Sequence, residues 1–285
     1  MKKKNILVLG AQGMLGHTVY AYLCKKFPGS VWGTAQRKNK KLLSFKVENL
    51  DKDLTRIFKE VEQVDYVINC IALLESKSKA DFKKINSDFP LQLVSILKKS
   101  NTRLIHISTD AVFCKTQGVV NEKDIPNPED EYSKSKLRGE PKLKNSLSIR
   151  TSILGFDQKS HKGLLEWFLI EESPQGYINQ LWSGCTTLQL AKLLEFILNK
   201  ELFECLRNKT AVLHFAPFKK TSKYEILNAF NLHLKHKKEI KQIKSNIEIN
   251  RQLETCYPED IYLNLFTKNI NTALQELISF ERIQI

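Results

Sequence analysis

The sequence predicts a doubly wound α/β fold, a parallel sheet with helices on both faces, followed by a smaller α+β unit. Three observations predict it. Short apolar runs alternate with longer amphipathic ones through the first half of the chain. A glycine-spaced turn, "GAQGMLG", directly follows the first apolar run. Beyond Gly155 the rhythm changes and helical patterns dominate.

"NILVLG" reads as a buried strand, and "MLGHTVYAYLCKKF" as a helix that stops before Pro28. "SVWGTA" is the second strand. "DYVINCIA" and "RLIHIST" are two more, separated by the helical "PLQLVSILKKS". A polar helix around "DEYSKSKLRGE" leads into the strand "LSIRTSILG". Then come two amphipathic helices, "GLLEWFLIEE" and "LQLAKLLEFILNK", the strand "AVLHFA", the helix "SKYEILNAFNLHL" and a strand in "KEIKQI". The polar stretch from Ser245 to Asp260 reads as loops. Residues 1–155 are expected to form a nucleotide-binding domain. Residues 156–285 are expected to form mainly a substrate-binding domain, with the helix near 187–200 packing back on the first sheet.

The chain has 285 residues, 42% of them hydrophobic, enough for a sizeable core. Lys+Arg 45 against Asp+Glu 31 gives a formal charge of +14, which attracts anions. The lysines are scattered and lack aromatic interleaving, so nucleic acid is not the expected partner. The six cysteines, Cys24, Cys70, Cys114, Cys185, Cys205 and Cys256, form no C-x-x-C, which argues against zinc or redox spacing and for a reducing, cytoplasmic setting. "MKKKNILVLG" is too short in its apolar part for a signal peptide, and no stretch is apolar enough to span a bilayer. No metal-ligand spacing occurs.

Gly10, Gly13 and Gly16 lie between a strand and a helix. Glycine lets a backbone approach a pyrophosphate, and the helix start offers free N–H groups and a favourable dipole. The second strand leads into "GTAQRKNK", with no acid to hold ribose hydroxyls. Arg37 and Lys38 are placed to pair with a 2′-phosphate, which favours NADPH, with NADH also admitted. The plain alternative is a tight turn and two loop charges.

Tyr132 and Lys136 stand four residues apart, on one helix face. An ammonium beside a phenol favours the phenolate and is expected to lower the Tyr132 pKa, giving a proton donor near neutral pH. Ser108 and Thr109 end a strand at the sheet edge where such folds bind ligands. Alone, Thr109 is as well explained as a strand-end turn residue.

The G-x-x-G-x-x-G spacing resembles the short-chain dehydrogenase/reductase superfamily. With "VINCIA", "KINSDFP", "LIHISTDAVF", "EYSKSKLRGE" and "SIRTSILG" in order, the first 155 residues resemble the dTDP-4-dehydrorhamnose reductase family, of extended type. The resemblance implies a Rossmann domain, a smaller substrate domain and NADPH-dependent reduction of the 4-keto group of a nucleotide-linked 6-deoxyhexose. It implies catalytic roles for Thr109, Tyr132 and Lys136: Tyr132 as general acid, Lys136 on the nicotinamide ribose, Thr109 on the keto oxygen. It puts Met14 and Leu15 along the pyrophosphate, Asn69, Ile71 and Ala72 along the cofactor, and Asn86 near Lys136. It puts Ser108, Thr151 and Ser152 about the nicotinamide pocket. Asp110, Ala111, Trp182, Ser183, Gly184 and Arg251 are candidates on the substrate side, Arg251 near the diphosphate. His17 reads as a helix residue and not a base.

Three positions depart from the family pattern. Lys46 stands where relatives often have an aspartate near the adenine. Ile153 stands where an aromatic usually meets the sugar. "INQLWSGCTT" has Thr186 in a proline position. They suggest a different sugar, such as a UDP-linked N-acetylated one, in surface-polysaccharide precursor synthesis. Other readings stay open. One is an epimerase or dehydratase on the same scaffold, weakened by Ala111 after Asp110. Another is a non-catalytic NADP-binding subunit resembling the regulatory subunit of methionine adenosyltransferase. A homodimer is admitted.

Overall fold

A computed structural model describes residues 4–37, 41–157, 163–199, 201–218 and 220–282. In chain order the first half forms β1 (Ile6–Leu9), α1 (Met14–Lys26), β2 (Val31–Ala35), β3 (Leu42–Ser44), α2 (Leu50–Val61), β4 (Tyr66–Asn69), α3 (Lys79–Phe82), α4 (Phe89–Lys98), β5 (Arg103–Ile107), β6 (Gly118–Val120), α5 (Glu131–Arg138) and β7 (Ser146–Arg150). The second half forms β8 (Ile153–Leu154), α6 (Leu164–Ile170), β9 (Gln175–Tyr177), β10 (Gln180–Trp182), β11 (Cys185–Thr186), α7 (Thr187–Asn199), α8 (Leu202–Lys209), β12 (Val212–His214), β13 (Thr221–Ser222), α9 (Lys223–His233), β14 (Lys241–Ile243), β15 (Ile249–Leu253) and α10 (Ile270–Arg282).

Seven strands make one parallel sheet in the order β12-β7-β5-β4-β1-β2-β3. Parallel strands buried on both faces read as unbroken apolar runs, and "ILVL" of β1 is fully buried. The strand order reverses between β1 and β4. This opens a crevice at their carboxyl ends, because the connections leave in opposite directions. One face of the sheet packs on α1, α7, α8 and α10 through Val19, Leu194, Phe203 and Leu277. The other packs on α2 and α4 through Ile57 and Leu93. The fold is α/β and Rossmann-like, as the alternation of runs predicts.

The second half builds a separate core of Leu165 and Phe168 from α6, Ile226 and Phe230 from α9 and Leu274 from α10. A four-stranded sheet, β13-β10-β15-β6, joins this half to the first. The chain also returns to the main sheet: β12 adds beside β7, and α7 lies against α1. The stretch 245–260 is not all loop. It contains β15, held by parallel pairing to both β6 and β10. Both partners lie far away in sequence, so no local pattern announces the strand. Among the described residues no helix is long and apolar enough to cross a membrane.

Candidate active site

The crevice at the β1–β4 reversal is a cleft of about 260 Å³. Its floor is the glycine turn. Gly10 sits at φ +79°, a region that side chains disfavour. A Cβ on Gly16 would stand 2.0 Å from the Gly10 carbonyl oxygen, so helix and turn meet backbone to backbone there. Gly13 is different. A Cβ on it would meet nothing nearer than 3.6 Å, so protein packing does not demand glycine. Gly13 lines the cleft and caps α1, so the missing side chain leaves room beside free helix N–H groups. That is a cradle for a pyrophosphate, and it fits the nicotinamide dinucleotide expected from the sequence.

Along the cleft run Gln36 at the end of β2, Phe45, Val47 and Glu48 after β3, Cys70, Ile71 and Ala72 after β4, and Ile85. The Glu48 carboxyl is held below the ordinary range by its own backbone N–H and then by Lys84, with which it pairs at 3.2 Å. Lys46 does not line the cleft; it is exposed, and its N–H donates to Asp53. Arg37 is exposed, next in the chain to Gln36, and is not among the residues lining the cleft. Lys38 lies outside the described residues. Met14 is half-buried, and the Leu15 side chain is in the main core, so only its backbone faces the turn.

Behind the cleft wall stands α5, tied to Leu73 of the lining through Asn86 and Ser135. Asp130 caps this helix by accepting from the Ser133 N–H, and Ser133 returns the contact. Lys136 points inward and is 2% exposed. Its Nζ donates to the Ile107 carbonyl at 2.7 Å and lies 3.5 Å from His106 Nε2. Burial pulls its pKa down to about 8, opposed by the Glu140 carboxylate and by Cys70, which lines the cleft. Tyr132, one turn earlier, packs edge-on against Phe82 and lies beside Thr109. Burial pushes its phenol up to about 12; the nearby Thr109 hydroxyl and, more weakly, Arg251 act against this, while Asp110 and Asp130 reinforce it. The expected lowering by Lys136 is absent, because the ammonium is turned to the β5 backbone and not to the phenol.

Thr109 caps the short turn 110–112: its Oγ1 accepts from the Ala111 N–H and donates to Asp110 Oδ1. Burial raises the Asp110 pKa, and Arg251 opposes this from β15 with an Nε–Oδ2 distance of 2.9 Å. Arg251 also donates to the Phe113 carbonyl. So Thr109, Asp110, Tyr132 and Arg251 form one cluster over the carboxyl edge of β5.

Other expected residues face elsewhere. The Ser108 hydroxyl donates to Glu140, which also grips Arg150 through two hydrogen bonds, so Ser108 belongs to a buried network beneath the site. Asn69 is fully buried: it accepts from the Ile71 N–H and reaches His106. Asn86 accepts from the Leu73 N–H and donates to the Leu73 carbonyl and Ser135, tying the cleft wall to α5. Thr151 is buried against Cys185. Ser183 accepts from the Leu253 N–H inside the four-stranded sheet. Trp182 donates to Ser152 and packs on Phe218, a corner of the second half. His17 bonds Glu281 of α10, a helix-to-helix contact.

The comparisons agree with this architecture. The family described as the RmlD substrate binding domain matches residues 4–254. The chain belongs to that family. The methionine adenosyltransferase 2 subunit beta of Danio rerio is 25% identical over 82% of this chain and 76% of its own. The probable low-salt glycan biosynthesis reductase Agl14 of Haloferax volcanii is 30% identical over 47% of this chain and 46% of its own. Among solved structures, the dTDP-4-dehydrorhamnose reductase of Bacillus anthracis in complex with NADP covers 98% of this chain and 99% of its own, with a TM-score of 0.77 at 17% identity. This last likeness is one of fold.

Gln36, Phe45, Glu48, Cys70, Ile85 and His106 were not expected as site or support residues. The period-2 alternation after β3 would have put Phe45 and Val47 on the face opposite Lys46. For Ile85 and His106 no sequence signal exists, since each is defined by a partner remote in the chain.

Proposed function

We propose that the chain is an NADPH-dependent reductase of the 4-keto group of a nucleotide-linked 6-deoxyhexose. The observation that carries this reading is Tyr132 beside Thr109 at the carboxyl edge of β5, the same edge of the parallel sheet that carries the glycine turn after β1. Gly10, Gly13, Ile71 and Ala72 would hold the dinucleotide, and Arg37 would meet a 2′-phosphate. The cofactor, when bound, supplies the hydride. Tyr132 supplies the proton to the sugar oxygen, with Thr109 orienting that oxygen by a hydrogen bond. A phenol kept neutral by burial is the right form for an acid, because it holds its proton until charge develops on the acceptor. Arg251, beside Asp110, would meet the nucleotide diphosphate.

The test is NADPH consumption with a panel of 4-keto nucleotide sugars. Tyr132→Phe is expected to cut turnover by ~100-fold or more while leaving NADPH binding unchanged. Turnover near wild type in that variant would remove Tyr132 from its role. One observation favours a second reading, a non-catalytic cofactor-binding subunit: the likeness to the methionine adenosyltransferase subunit beta spans most of both chains. Recovery of a synthetase in a pull-down, with no reduction of any ketosugar, would establish it.

A further inference from the structure

His17 stands in the first turn of α1, directly behind the glycine turn, and has a hydrogen-bonding partner on each side of its ring. Nδ1 lies 3.1 Å from the Gly13 carbonyl oxygen. A carbonyl can only accept, so Nδ1 carries a proton. Nε2 lies 3.2 Å from both carboxylate oxygens of Glu281, a residue of α10 that is 4% exposed. An Nε2 without a proton would set its lone pair against oxygens that also only accept, in a place nearly closed to water. A second proton therefore belongs between ring and carboxylate. Imidazole is the more basic of the two by about 2 pKa units, so the ring holds it. The Thr18 hydroxyl donates to Glu281 Oε1 at 2.8 Å, which favours the carboxylate and with it the ion pair.

A cation in the first turn of a helix has the wrong sign for the helix dipole. Glu281 compensates it in the free chain. An anion at the start of α1 would compensate it as well, and α1 starts at the cradle made by Gly10 and Gly13. His17 also reaches that cradle through the backbone. The Gly13 carbonyl oxygen accepts twice from this one residue, from the His17 N–H at 3.0 Å and from Nδ1. That carbonyl and the Met14 N–H belong to one peptide group, and the Met14 N–H is among those that a helix start leaves free. A charge-assisted bond on the oxygen polarises the peptide and makes its N–H a better donor. We propose that His17, kept protonated by Glu281, is a positioning residue of the pyrophosphate cradle, acting through the Gly13–Met14 peptide, so that a nicotinamide dinucleotide binds more tightly when this ring is charged. Among the described residues the charged groups acting on His17 are Glu281 of α10 and Asp157 just past β8, both acids. Burial opposes the ring's charge, but the Glu281 bond and field, the Gly13 carbonyl and Asp157 outweigh it and raise the His17 pKa above 6.5. The inference rests on the cleft holding a dinucleotide and is independent of the reductase reading.

The experiment is a pair of titrations on the whole chain, with NADP+ as the probe. In the first, the His17 ring signal, assigned through its own backbone, is followed by NMR against pH without and with saturating NADP+. Its pKa is expected above 6.5 in the free chain and higher again by about 0.7 in the complex, because the coupling between proton and dinucleotide is reciprocal. In the second, NADP+ affinity is measured by calorimetry at steps from pH 6.5 to 9. The wild type is expected to lose about fivefold across that range, the same factor read from the other side. His17→Gln is expected to bind more weakly at pH 6.5 and to change little with pH, and Glu281→Gln to lower the His17 pKa. The 2′-phosphate of the probe titrates near about pH 6 in every chain, so it cancels between wild type and variant. A His17 pKa that NADP+ does not move, or pH profiles that coincide in wild type and His17→Gln, would overturn the proposal while leaving the dinucleotide cleft in place. A chain that binds no NADP+ at any pH would remove the cleft reading and this inference with it. The wild-type NMR titration decides the matter even if neither variant folds.

Discussion

A lysine withdrawn from water changes how a fold responds to alkali. Lys136 is pulled from its usual 10.5 to about 8 by burial. Between those two values the unfolded chain keeps a proton that the folded chain has released. Stability from this group therefore rises with pH across that window, by up to roughly 3 kcal/mol, since one unit is 1.36 kcal/mol. Half-buried phenols such as Tyr20 and Tyr132, pushed up to about 12, and the raised thiols of Cys70 and Cys185 act in the opposite direction above about pH 9. Of these only Cys70 faces Lys136, so the others cancel in the difference between wild type and a Lys136→Met variant. Denaturant unfolding at steps from pH 7.5 to 10.5 is expected to show the wild type gaining on Lys136→Met as pH rises. Parallel curves would mean that Lys136 titrates normally. At this scale the sequence was readable where a motif names the residue: Thr109, Tyr132 and Lys136 meet at one edge because their spacing and flanking strands dictate it. It was not readable where a side chain's partner is remote. Ser108, one residue before Thr109, points to Glu140, because successive residues along an extended chain face opposite ways.

The element that sets the site's geometry is α5, and its position is fixed by contact with the helical stretch 83–88, whose i→i+5 bonding widens the turn between α3 and α4. The Gly139 backbone closes α5 against that stretch: a Cβ there would stand 1.8 Å from the Asn86 carbonyl oxygen. Backbone cannot yield as a flexible side chain does. Gly139→Ala is therefore expected to displace α5, costing about 1–3 kcal/mol and lowering any turnover that depends on Tyr132. Gly29→Ala is the control. Its φ of +67° gives a strain cost of about 1–2 kcal/mol, but an added Cβ meets nothing within 4 Å and the turn lies far from α5 in sequence. Unfolding measurements should show both losses, and kinetics only the first. Equal kinetic effects would mean that Gly139 matters for stability alone. The helices α1, α4, α5, α6, α7 and α9 were visible in the sequence, whereas α2 and α10 were not, although each has a marked apolar stripe. The widened turn was not, because one extra residue per turn leaves no mark in a short polar stretch such as "KKINSD". Nor were β6 and β15, whose ladders join residues 118–120 to 251–253.

At the scale of the whole molecule, an ion pair joins the two halves at the site. Arg251, on β15, reaches Asp110 at the carboxyl edge of the main sheet, and the side chains are only 14% and 10% exposed. Removing one partner of a buried pair costs more than the pair contributes, because the survivor is stranded without solvent. Arg251→Met is expected to destabilise the chain by about 3 kcal/mol at neutral pH. Without the guanidinium, burial raises the Asp110 pKa further, so the folded variant keeps that carboxyl protonated to higher pH than the unfolded chain does. A raised acid contributes stability that is present at low pH and lost as pH rises. The deficit should therefore shrink as pH falls from 7 toward 4. Adding Asp110→Asn removes the stranded charge, and the double variant should recover part of the loss. Affinity for a nicotinamide cofactor should stay unchanged in both, because the cleft floor belongs to the first half. Denaturant unfolding at pH 4.5 and 7, with cofactor titration alongside, reads all three quantities. A deficit that is the same at both pH values, with no recovery in the double variant, would mean that Arg251 acts through the Phe113 carbonyl and not through Asp110.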